Sequence, residues 1–254
     1  MNRAAVGREA GIDGVPNFRD LGGLPTADGR RTRSGVLYRS GGFEDITDRG
    51  IDTARKLGVR TVIDLRSTED FDPRNRLQDA GVTVVNIPIV REGSPTDPRR
   101  PMRPDGTADM ARVYRMLVDK SATAIGRLFD LVVDDGTTPA VIHCASGKDR
   151  TGVIAALLLG AVGVTRAPIV EDFVQSAPVR DELVAYLSRR PAYAKVVHQF
   201  PPGTLDAEPR FIEDFLDELA RETGGVIGWL TGPAGVSDTT MSRLERLFLE
   251  PAPR

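Results

Sequence analysis

A thiol, an ammonium, a carboxylate and a guanidinium lie within one short segment near the middle of the chain, HCASGKDRTG at 143–152. The segment follows an apolar stretch typical of a strand and precedes one typical of a helix. A strand-to-helix turn directs backbone N–H groups and the positive end of the helix dipole at one point, which suits an anion. The spacing of Cys144 and Arg150 lets a guanidinium bind two phosphoryl oxygens while the sulfur faces phosphorus.

The same segment offers a residue for each step of phosphoryl transfer. Its positive field favours the thiolate form of Cys144, which would attack phosphorus and form a phosphocysteine. Asp149 would protonate the departing oxygen and then activate water. Thr151 would donate a hydrogen bond to the sulfur, and His143 would orient the loop from beneath. The expected phosphate-binding residues are Ala145, Ser146, Gly147, Lys148, Asp149 and Arg150.

Other chemistries fit the sequence less well. Two histidines, His143 and His198, without a ligand pair at helical spacing predict no metal site and no cofactor. A nucleotide-binding loop needs a hydroxyl residue after Gly-Lys, where this chain has Asp149. Cys144 is the only cysteine, so it is either an inert core thiol or a reactive one, and Arg150 with the neighbouring glycines favours the reactive thiol. A module that binds phosphate without turnover is the alternative.

Composition limits the partners and the compartment. A net charge of -2 and a pI near 5.8 give no attraction to nucleic acid or to an anionic membrane. The longest apolar run, Val153 to Val164, is too short to cross a bilayer, and no signal-peptide core opens the chain. We expect a cytoplasmic protein, since a single cysteine fits a reducing compartment. Export without a signal peptide is the alternative, and the oligomeric state is open.

The elements that position the loop alternate between strand and helix patterns. Thr47, Ser121 and Ser237 are expected to cap helices, and 151–163 is expected to be a helix buried almost all round. This alternation predicts an α/β fold with a central, mostly parallel sheet flanked by helices. Proline-rich 91–106 is expected to be a surface loop. The strand candidates are 35–39, 60–65, 82–90 and 139–144.

Several motifs together resemble one known family. Cys-x5-Arg followed by Thr-Gly resembles the signature of the protein-tyrosine-phosphatase superfamily. The fuller pattern resembles the bacterial family typified by the mycobacterial secreted protein-tyrosine phosphatase B. The motifs that carry this resemblance are NFRDLGG at 17–23, YRSG at 38–41, IDLRS at 63–67 and GKDRTG at 147–152.

The resemblance implies one phosphatase domain over residues 1–254, with a protein-tyrosine-phosphatase-like fold and a helical lid at 189–222. The implied activity is hydrolysis of phosphotyrosine, with phosphoserine, phosphothreonine and phosphoinositides as further substrates. Partners would be a phosphorylated protein or a phosphoinositide, and inorganic phosphate would be product and ligand. The resemblance implies that Lys148 and Asp149 bind substrate and take part in catalysis, and it places Asp64 near the site as an alternative acid.

Three charged residues in the first two of these motifs have two interpretations. Arg19, Asp20 and Arg39 would form either a structural network beside the loop or direct contacts with substrate. Charged residues close to a loop of this kind more often serve structure, so we favour a supporting network.

Overall fold

A computed structural model of the protein describes residues 11–71, 76–89, 101–195 and 197–252. Its strands are β1 (Arg19–Asp20), β2 (Arg30–Thr32), β3 (Leu37–Ser40), β4 (Thr61–Asp64), β5 (Thr83–Asn86), β6 (Ala140–His143) and β7 (Leu249–Pro251). The central sheet has the order β1-β3-β6-β4-β5, and only β1 runs antiparallel to its neighbour. A separate antiparallel pair joins β2 to β7. The predicted α/β architecture with a mostly parallel sheet is therefore confirmed.

Alternate residues of the strands pack on opposite faces of the sheet. Leu37, Ile63 and Ile142 point into the larger core, while Val62 and Val141 point into a smaller one. Both faces are covered, which is why these strands read as nearly continuous apolar runs. Each of the four strand candidates overlaps an observed strand, and the strand in the first candidate, β3, extends one residue beyond it to Ser40. The third, β5, is shorter than predicted and ends at Asn86, although Ile87 N and Ile89 N still donate to the carbonyl oxygens of Asp64 and Leu65.

The helices surround this sheet. Thr47 and Ser237 cap helices with their hydroxyls, as predicted, by accepting from Gly50 N and Thr240 N. Ser121 also lies where predicted, but its side chain makes no cap hydrogen bond. The helices are α1 (Asp48–Lys56), α2 (Met110–Lys120), α3 (Ala122–Val133), α4 (Asp149–Ala161), α5 (Arg166–Val174), α6 (Arg180–Ser188), α7 (Pro191–Ala194), α8 (Pro209–Thr223), α9 (Val226–Thr231) and α10 (Asp238–Phe248).

Helix α4 is buried on almost every side, as its continuous apolar sequence predicts. It runs from the carboxyl end of β6 into the larger core. Gly152 and Gly160 allow close neighbours, since a Cβ atom there would meet Phe173 or Val226 at 2.9 Å. These two glycines allow α4 to pack closely against α5 and α9.

The expected lid at 189–222 is divided by the structure into two different environments. Phe211, Ile212, Phe215 and Leu219 of α8 are fully or almost fully buried in the larger core, so α8 is a packed core helix. The residues that cover the carboxyl edge of the sheet come instead from α6, α7 and the segment that follows them, 180–205.

The structure bears in part on two further expectations, the surface loop at 91–106 and the absence of a membrane span. Most of the 91–106 loop lies outside the described residues; within 101–106, Arg103 donates to Asp214 of α8 at 2.7 Å. Among the described residues, no helix combines the length and the apolar character needed to cross a membrane.

Candidate active site

The loop between β6 and α4, residues 144–148, passes directly against the end of β3. Gly147 has a φ of 71°, and a Cβ atom at this position would lie 2.4 Å from the carbonyl carbon and oxygen of Ser40. Both the left-handed backbone and the missing side chain are therefore required here. This contact fixes how the loop turns into the first residue of α4.

Four successive carbonyl groups of the loop accept hydrogen bonds. The first three accept only from residues that precede the loop in sequence, and the fourth also accepts from the first turn of α4. The donors come from the segment before β1, from β3, and from the turn after β3. A carbonyl that is bound outside cannot turn into the space enclosed by the loop. The bonds are Ala145 O to Gly42 N (3.0 Å), Ser146 O to Asn17 Nδ2 (3.1 Å), Gly147 O to Arg39 Nη2 (2.6 Å), and Lys148 O to Gly152 N (2.8 Å) with a longer contact to Arg39 Nη2 (3.4 Å).

The amide groups of the same loop are arranged differently. Within the described chain, no acceptor is found for the N–H groups of Ala145, Ser146, Gly147, Arg150 and Thr151. A run of such amides at the start of a helix forms a concave site that favours an anion. The loop can therefore bind an oxyanion through its backbone.

Cys144 is 2% exposed and lines a cavity that the loop shares with α2 and with the 180–205 segment. Arg150 and Asp149 line the same cavity, so the thiol, the guanidinium and the carboxylate face one space, as the sequence predicted. The opposite walls are apolar and include Leu117, Leu183 and Phe200, as well as Leu205. The cavity thus joins a polar floor to apolar walls.

Arg150 is buried, and its guanidinium contacts two groups beside the loop. Nη2 donates to the hydroxyl of Tyr193 at 3.0 Å, and Nη1 lies 3.5 Å from the carbonyl oxygen of Leu65. Burial alone would lower the pKa of Arg150, but the charge of Cys144 and the proximity of Tyr193 raise it above its usual value. Arg150 therefore keeps its charge inside the protein.

Lys148 is buried as well, so its ammonium group is not exposed to solvent. Its Nζ donates to the carbonyl oxygens of Thr204 (2.5 Å) and Asp206 (2.8 Å), and it lies 3.2 Å from Oδ1 of Asp149. The ammonium thereby joins the loop to the segment that covers the cavity. In this structure it binds protein carbonyls at the rim of the site.

Asp149 lies at the first position of α4 with its carboxylate in the cavity. Oδ1 accepts a hydrogen bond from the Tyr114 hydroxyl at 2.7 Å, in addition to the contact with Lys148. Tyr114 is a fully buried residue of α2 that sequence analysis did not identify. Its contribution orients the carboxylate at the mouth of the loop.

Asp64, the alternative acid, lies outside the cavity lining. Both of its carboxylate oxygens accept from Arg66, at 2.7 to 3.0 Å. Burial alone would raise the pKa of Asp64, but the neighbouring His143 ring and Arg66, through its charge and its hydrogen bonds, hold it below its usual value. An ionised carboxylate paired with an arginine is a poor proton donor, so the geometry favours Asp149.

His143 lies beneath the loop, as predicted. Its Nδ1 is 3.2 Å from the carbonyl oxygen of Cys144, and Nε2 is 3.6 Å from Oδ2 of Asp64. Burial lowers the pKa of His143 below its usual value, and the nearby Asp64 carboxylate only partly opposes this effect. The ring is therefore a neutral packing and orienting group.

Thr151 does not form the predicted hydrogen bond to the sulfur. Its side chain is completely buried, and within the described part of the chain Oγ1 has no hydrogen-bond partner. The hydroxyl lies one residue past Arg150 in the first turn of α4, where the helix backbone fixes its direction.

A buried ion-pair network supports the loop from the side of β1 and β3. Arg19 and Arg39 both pair with Asp172 of α5, while Asp20 accepts from the amides of Gly22 and Gly35, each at 2.8 Å. The supporting interpretation of Arg19, Asp20 and Arg39 is favoured by these contacts, because none of the three lines the cavity.

Three residues that contact the loop or its supports were not among the predicted site residues: Asp172, Tyr193 and Asn17. Asp172 could have been found, because it is an acidic residue at the buried spacing of an apolar helix, three positions after Ile169. Two arginines in neighbouring strand motifs, Arg19 and Arg39, suggested that a buried partner was needed. No sequence signal indicated that Tyr193 would lie over Arg150.

The chain is similar to known proteins over most of its length. The family model described as "Tyrosine phosphatase family" matches residues 10–250. A triple specificity protein phosphatase of Mycobacterium tuberculosis, PtpB, is 28% identical over 277 residues, which cover 94% of this chain and 98% of that protein.

A protein of Cupriavidus necator is 33% identical to this chain over 170 residues, and its name describes it as a provisional tyrosine-protein phosphatase. This match spans 65% of the present chain and 62% of the length of that relative. Among solved structures, the catalytic domain of the PP-IP phosphatase SIW14 from S. cerevisiae has 13% identity and a TM-score of 0.39, and covers 82% of this chain and 96% of that one.

Proposed function

The chain belongs to the tyrosine phosphatase family, and from that premise we propose that it hydrolyses phosphotyrosine in proteins through a phosphocysteine on Cys144. One observation carries this proposal. Cys144 and Arg150 line a single cavity at the start of α4, above a loop whose carbonyl groups are bound and whose remaining amides are available to an oxyanion. This is the arrangement that an in-line attack on a phosphoryl group requires.

In the first step the phosphoryl oxygens bind the loop amides and the Arg150 guanidinium. The thiolate of Cys144 attacks phosphorus, and the bond from phosphorus to the substrate oxygen breaks. Arg150 is already charged, since its environment raises its pKa, and needs only to exchange the Tyr193 hydroxyl for phosphate oxygens. Charge that develops on the phosphoryl group meets donors that are already oriented.

Asp149 is the proposed acid and base. It would protonate the leaving oxygen in the first step and accept a proton from water when the phosphocysteine is hydrolysed. Tyr114 and Lys148 position its carboxylate, at 2.7 and 3.2 Å. The pairing of Asp64 with Arg66 and its place outside the cavity lining support Asp149 over Asp64 in this role.

An aryl phosphate suits the cavity. Its apolar walls, including Leu117, Leu183 and Phe200, would contact a phenyl ring while the phosphate reaches the loop. We propose phosphoserine, phosphothreonine and phosphoinositides as further substrates. The Lys148 ammonium at the rim would bind additional phosphates of an inositol ring once it leaves the carbonyls of Thr204 and Asp206.

Access to the cavity requires movement of the covering segment. Residues 180–205 contribute Leu183, Tyr193 and Leu205 to the cavity wall. Tyr193 and Leu205 pack against a small cluster that is separate from the larger core and consists of Ala145, Tyr186, Leu187 and Val197. We propose that this segment is the lid, in place of 189–222, and that α8 stays fixed when the lid opens.

The proposed setting is the cytoplasm, with secretion without a signal peptide as the alternative. A reducing compartment protects Cys144 from oxidation, and the proposed reaction needs a reduced cysteine that can form a thiolate. Fractionation of cells that express the protein at its natural level distinguishes the two.

The direct test is hydrolysis of p-nitrophenyl phosphate and of a phosphotyrosine peptide in the presence of EDTA. We expect turnover in the parent protein and none in Cys144→Ser, with inorganic phosphate still bound by the variant. Acid quenching during turnover should trap phosphate on the parent protein only. Saturable phosphopeptide binding without phosphate release by the parent would favour the non-catalytic alternative.

A further inference from the structure

Asp172 is a single carboxylate held between two buried guanidinium groups. Oδ1 accepts from Arg19 Nε at 2.9 Å and Oδ2 accepts from Arg39 Nη1 at 2.5 Å. The backbone carbonyl of Asp172 accepts from Arg19 Nη2 at 2.7 Å. Asp172 is 1% exposed and both arginines are 4% exposed or less, so one buried carboxylate offsets part of the charge of two buried guanidinium groups.

Each guanidinium extends from Asp172 to the active-site loop. Arg39 uses Nη2 for the carbonyl oxygen of Gly147, at 2.6 Å. Arg19 reaches the loop through one intermediate, because its Nη1 donates to Asn17 Oδ1 at 2.5 Å and Asn17 Nδ2 donates to the carbonyl oxygen of Ser146 at 3.1 Å. Two adjacent loop carbonyls are thus fixed by chains of hydrogen bonds that start at one carboxylate.

We propose that Asp172 is a positioning residue of the phosphate site, which acts through Arg39 and Arg19 to hold the carbonyls of Ser146 and Gly147 away from the bound oxyanion. This role rests on the proposed phosphatase function. Asp172 touches neither the cavity nor the substrate. Its effect is to set the direction of two peptide units, because a peptide whose carbonyl faces outward presents its N–H to the opposite side.

The geometry explains why an acidic residue is required. Asp172 accepts from some of the N–H groups of each guanidinium and leaves another N–H group for the loop side. Arg39, for example, donates from Nη1 to Asp172 and from Nη2 to Gly147 O, so its planar fork joins the carboxylate to the loop. Without the negative charge, two buried cations remain close together and each loses a partner. We expect Arg39 to move from Gly147 O, and the carbonyl then becomes free to rotate toward the oxyanion.

Other evidence agrees with a fixed negative charge at this position. Burial alone would raise the pKa of Asp172, but Arg39 and Arg19 lower it below its usual range. The carboxylate is therefore ionised throughout the pH range in which a phosphatase would be assayed. Exposed ion pairs elsewhere, such as Arg55 with Asp52, have no connection to the loop and serve as a contrast.

The test compares Asp172→Asn with Leu244→Ala. Leu244 is a fully buried residue of α10, so its truncation lowers stability without contact with the loop. Binding of inorganic phosphate is measured by calorimetry, and inhibition by orthovanadate is measured with p-nitrophenyl phosphate, both far below the unfolding midpoint of each variant. We expect Asp172→Asn to weaken both by tenfold or more, and Leu244→Ala to change neither by more than twofold.

A double-mutant cycle with Arg39→Met tests the route of the effect. If Asp172 acts through Arg39, the double variant binds phosphate about as weakly as the weaker single variant; additive losses would overturn this route. Phosphate affinity within twofold of the parent in folded Asp172→Asn would overturn the proposal itself. If Asp172→Asn does not fold, Asp172→Glu, which keeps the charge but displaces the carboxylate, is judged by the same criterion.

The phosphate-binding readout does not depend on turnover. A parent protein that binds phosphate but releases none from substrates would contradict the proposed function, while the comparison of Asp172→Asn with the parent would still decide the role of Asp172.

Discussion

The Tyr193 hydroxyl lies 3.0 Å from Nη2 of Arg150 and occupies a donor that a bound phosphate would need. Tyr193 belongs to α7 in the covering segment, whereas Arg150 belongs to α4 in the core. The covering segment therefore competes with substrate for the guanidinium.

Removal of the hydroxyl in Tyr193→Phe should favour substrate. A net hydrogen bond is worth roughly 0.5–1.5 kcal/mol, and 1.4 kcal/mol corresponds to a factor of ten. We expect KM for p-nitrophenyl phosphate to fall about threefold to tenfold, with kcat within twofold of the parent. Steady-state kinetics at fixed pH measure both values.

The matched control for this prediction is Tyr186→Phe. The Tyr186 hydroxyl donates to Glu44 and makes no contact with Arg150. An equal fall of KM in both variants would mean that general loosening of the covering segment, and not competition for Arg150, sets the affinity.

Gly147, just before α4, and Gly163, just after it, both have a left-handed backbone. Alanine at the two positions therefore distinguishes the effect of a steric clash at the site from the effect of backbone strain alone. Gly147→Ala would place a Cβ atom 2.4 Å from Ser40, whereas at Gly163, which has a φ of 78°, an added Cβ atom would meet no atom within 4 Å. Displacement of the loop by about 1 Å costs roughly 100-fold in rate. We expect kcat/KM to fall by about that factor in Gly147→Ala only.

Gly163→Ala should lower stability by about 1 kcal/mol, since it forces a residue with a side chain into the left-handed region. Its kcat/KM should stay within twofold of the parent. Thermal unfolding and steady-state kinetics on both variants decide the matter, and comparable activity losses would refute a specific contact between Gly147 and Ser40.

Asp149 and Asp64 are separated by the dependence of rate on the leaving group. A general acid contributes roughly 10² to 10⁴ to rate when the leaving oxygen is strongly basic. We expect Asp149→Asn to slow hydrolysis of an alkyl phosphate by about 100-fold or more, and p-nitrophenyl phosphate by less than tenfold.

Asp64→Asn provides the comparison for this prediction. It removes one of the two carboxylates that pair with half-buried Arg66 and leaves Glu44 as the other, which should lower stability by about 1.5–3 kcal/mol. It should slow both substrates by the same factor. A larger effect on the alkyl phosphate in Asp64→Asn than in Asp149→Asn would move the proton-transfer role to Asp64.

The sequence predicted the strands, α4 and the loop because these depend on local patterns. Each of these patterns, such as an apolar run bounded by glycine or the spacing between Cys144 and Arg150, extends over only a few residues. The support of the loop depends on contacts between distant segments, such as Asn17 with Ser146 and Asp172 with Arg39. No periodicity reports such pairs.

The covering segment shows the same limit. Phe211, Ile212, Phe215 and Leu219 form an apolar stripe on α8, and such a stripe indicates a buried face but packs equally well on a core or over a cavity. Phe215 of this stripe contacts Tyr114, which in turn contacts Phe173, and these contacts place α8 in the core. Tyr193 and Leu205, which do cover the cavity, lie in short irregular elements that have no clear pattern.

The pH dependence of stability should report the burial of His143. Burial lowers the pKa of His143 in the folded state, so as pH falls through about 6.5 the unfolded chain takes up a proton that the folded protein does not. The free energy of unfolding should therefore decrease below about pH 6.5, by at most about 1.4 kcal/mol per pH unit from this residue.

Urea unfolding between pH 7.5 and 5.5 measures this slope. His143→Gln should be less steep than the parent, because the substituted residue does not titrate. His198→Gln is the matched control, since His198 is the other histidine of the chain and is exposed on a short 3₁₀ helix. Identical slopes in the parent and in His143→Gln would show that His143 accepts a proton in the folded state as readily as in the unfolded chain, contrary to its buried position against Phe43 and Asp64.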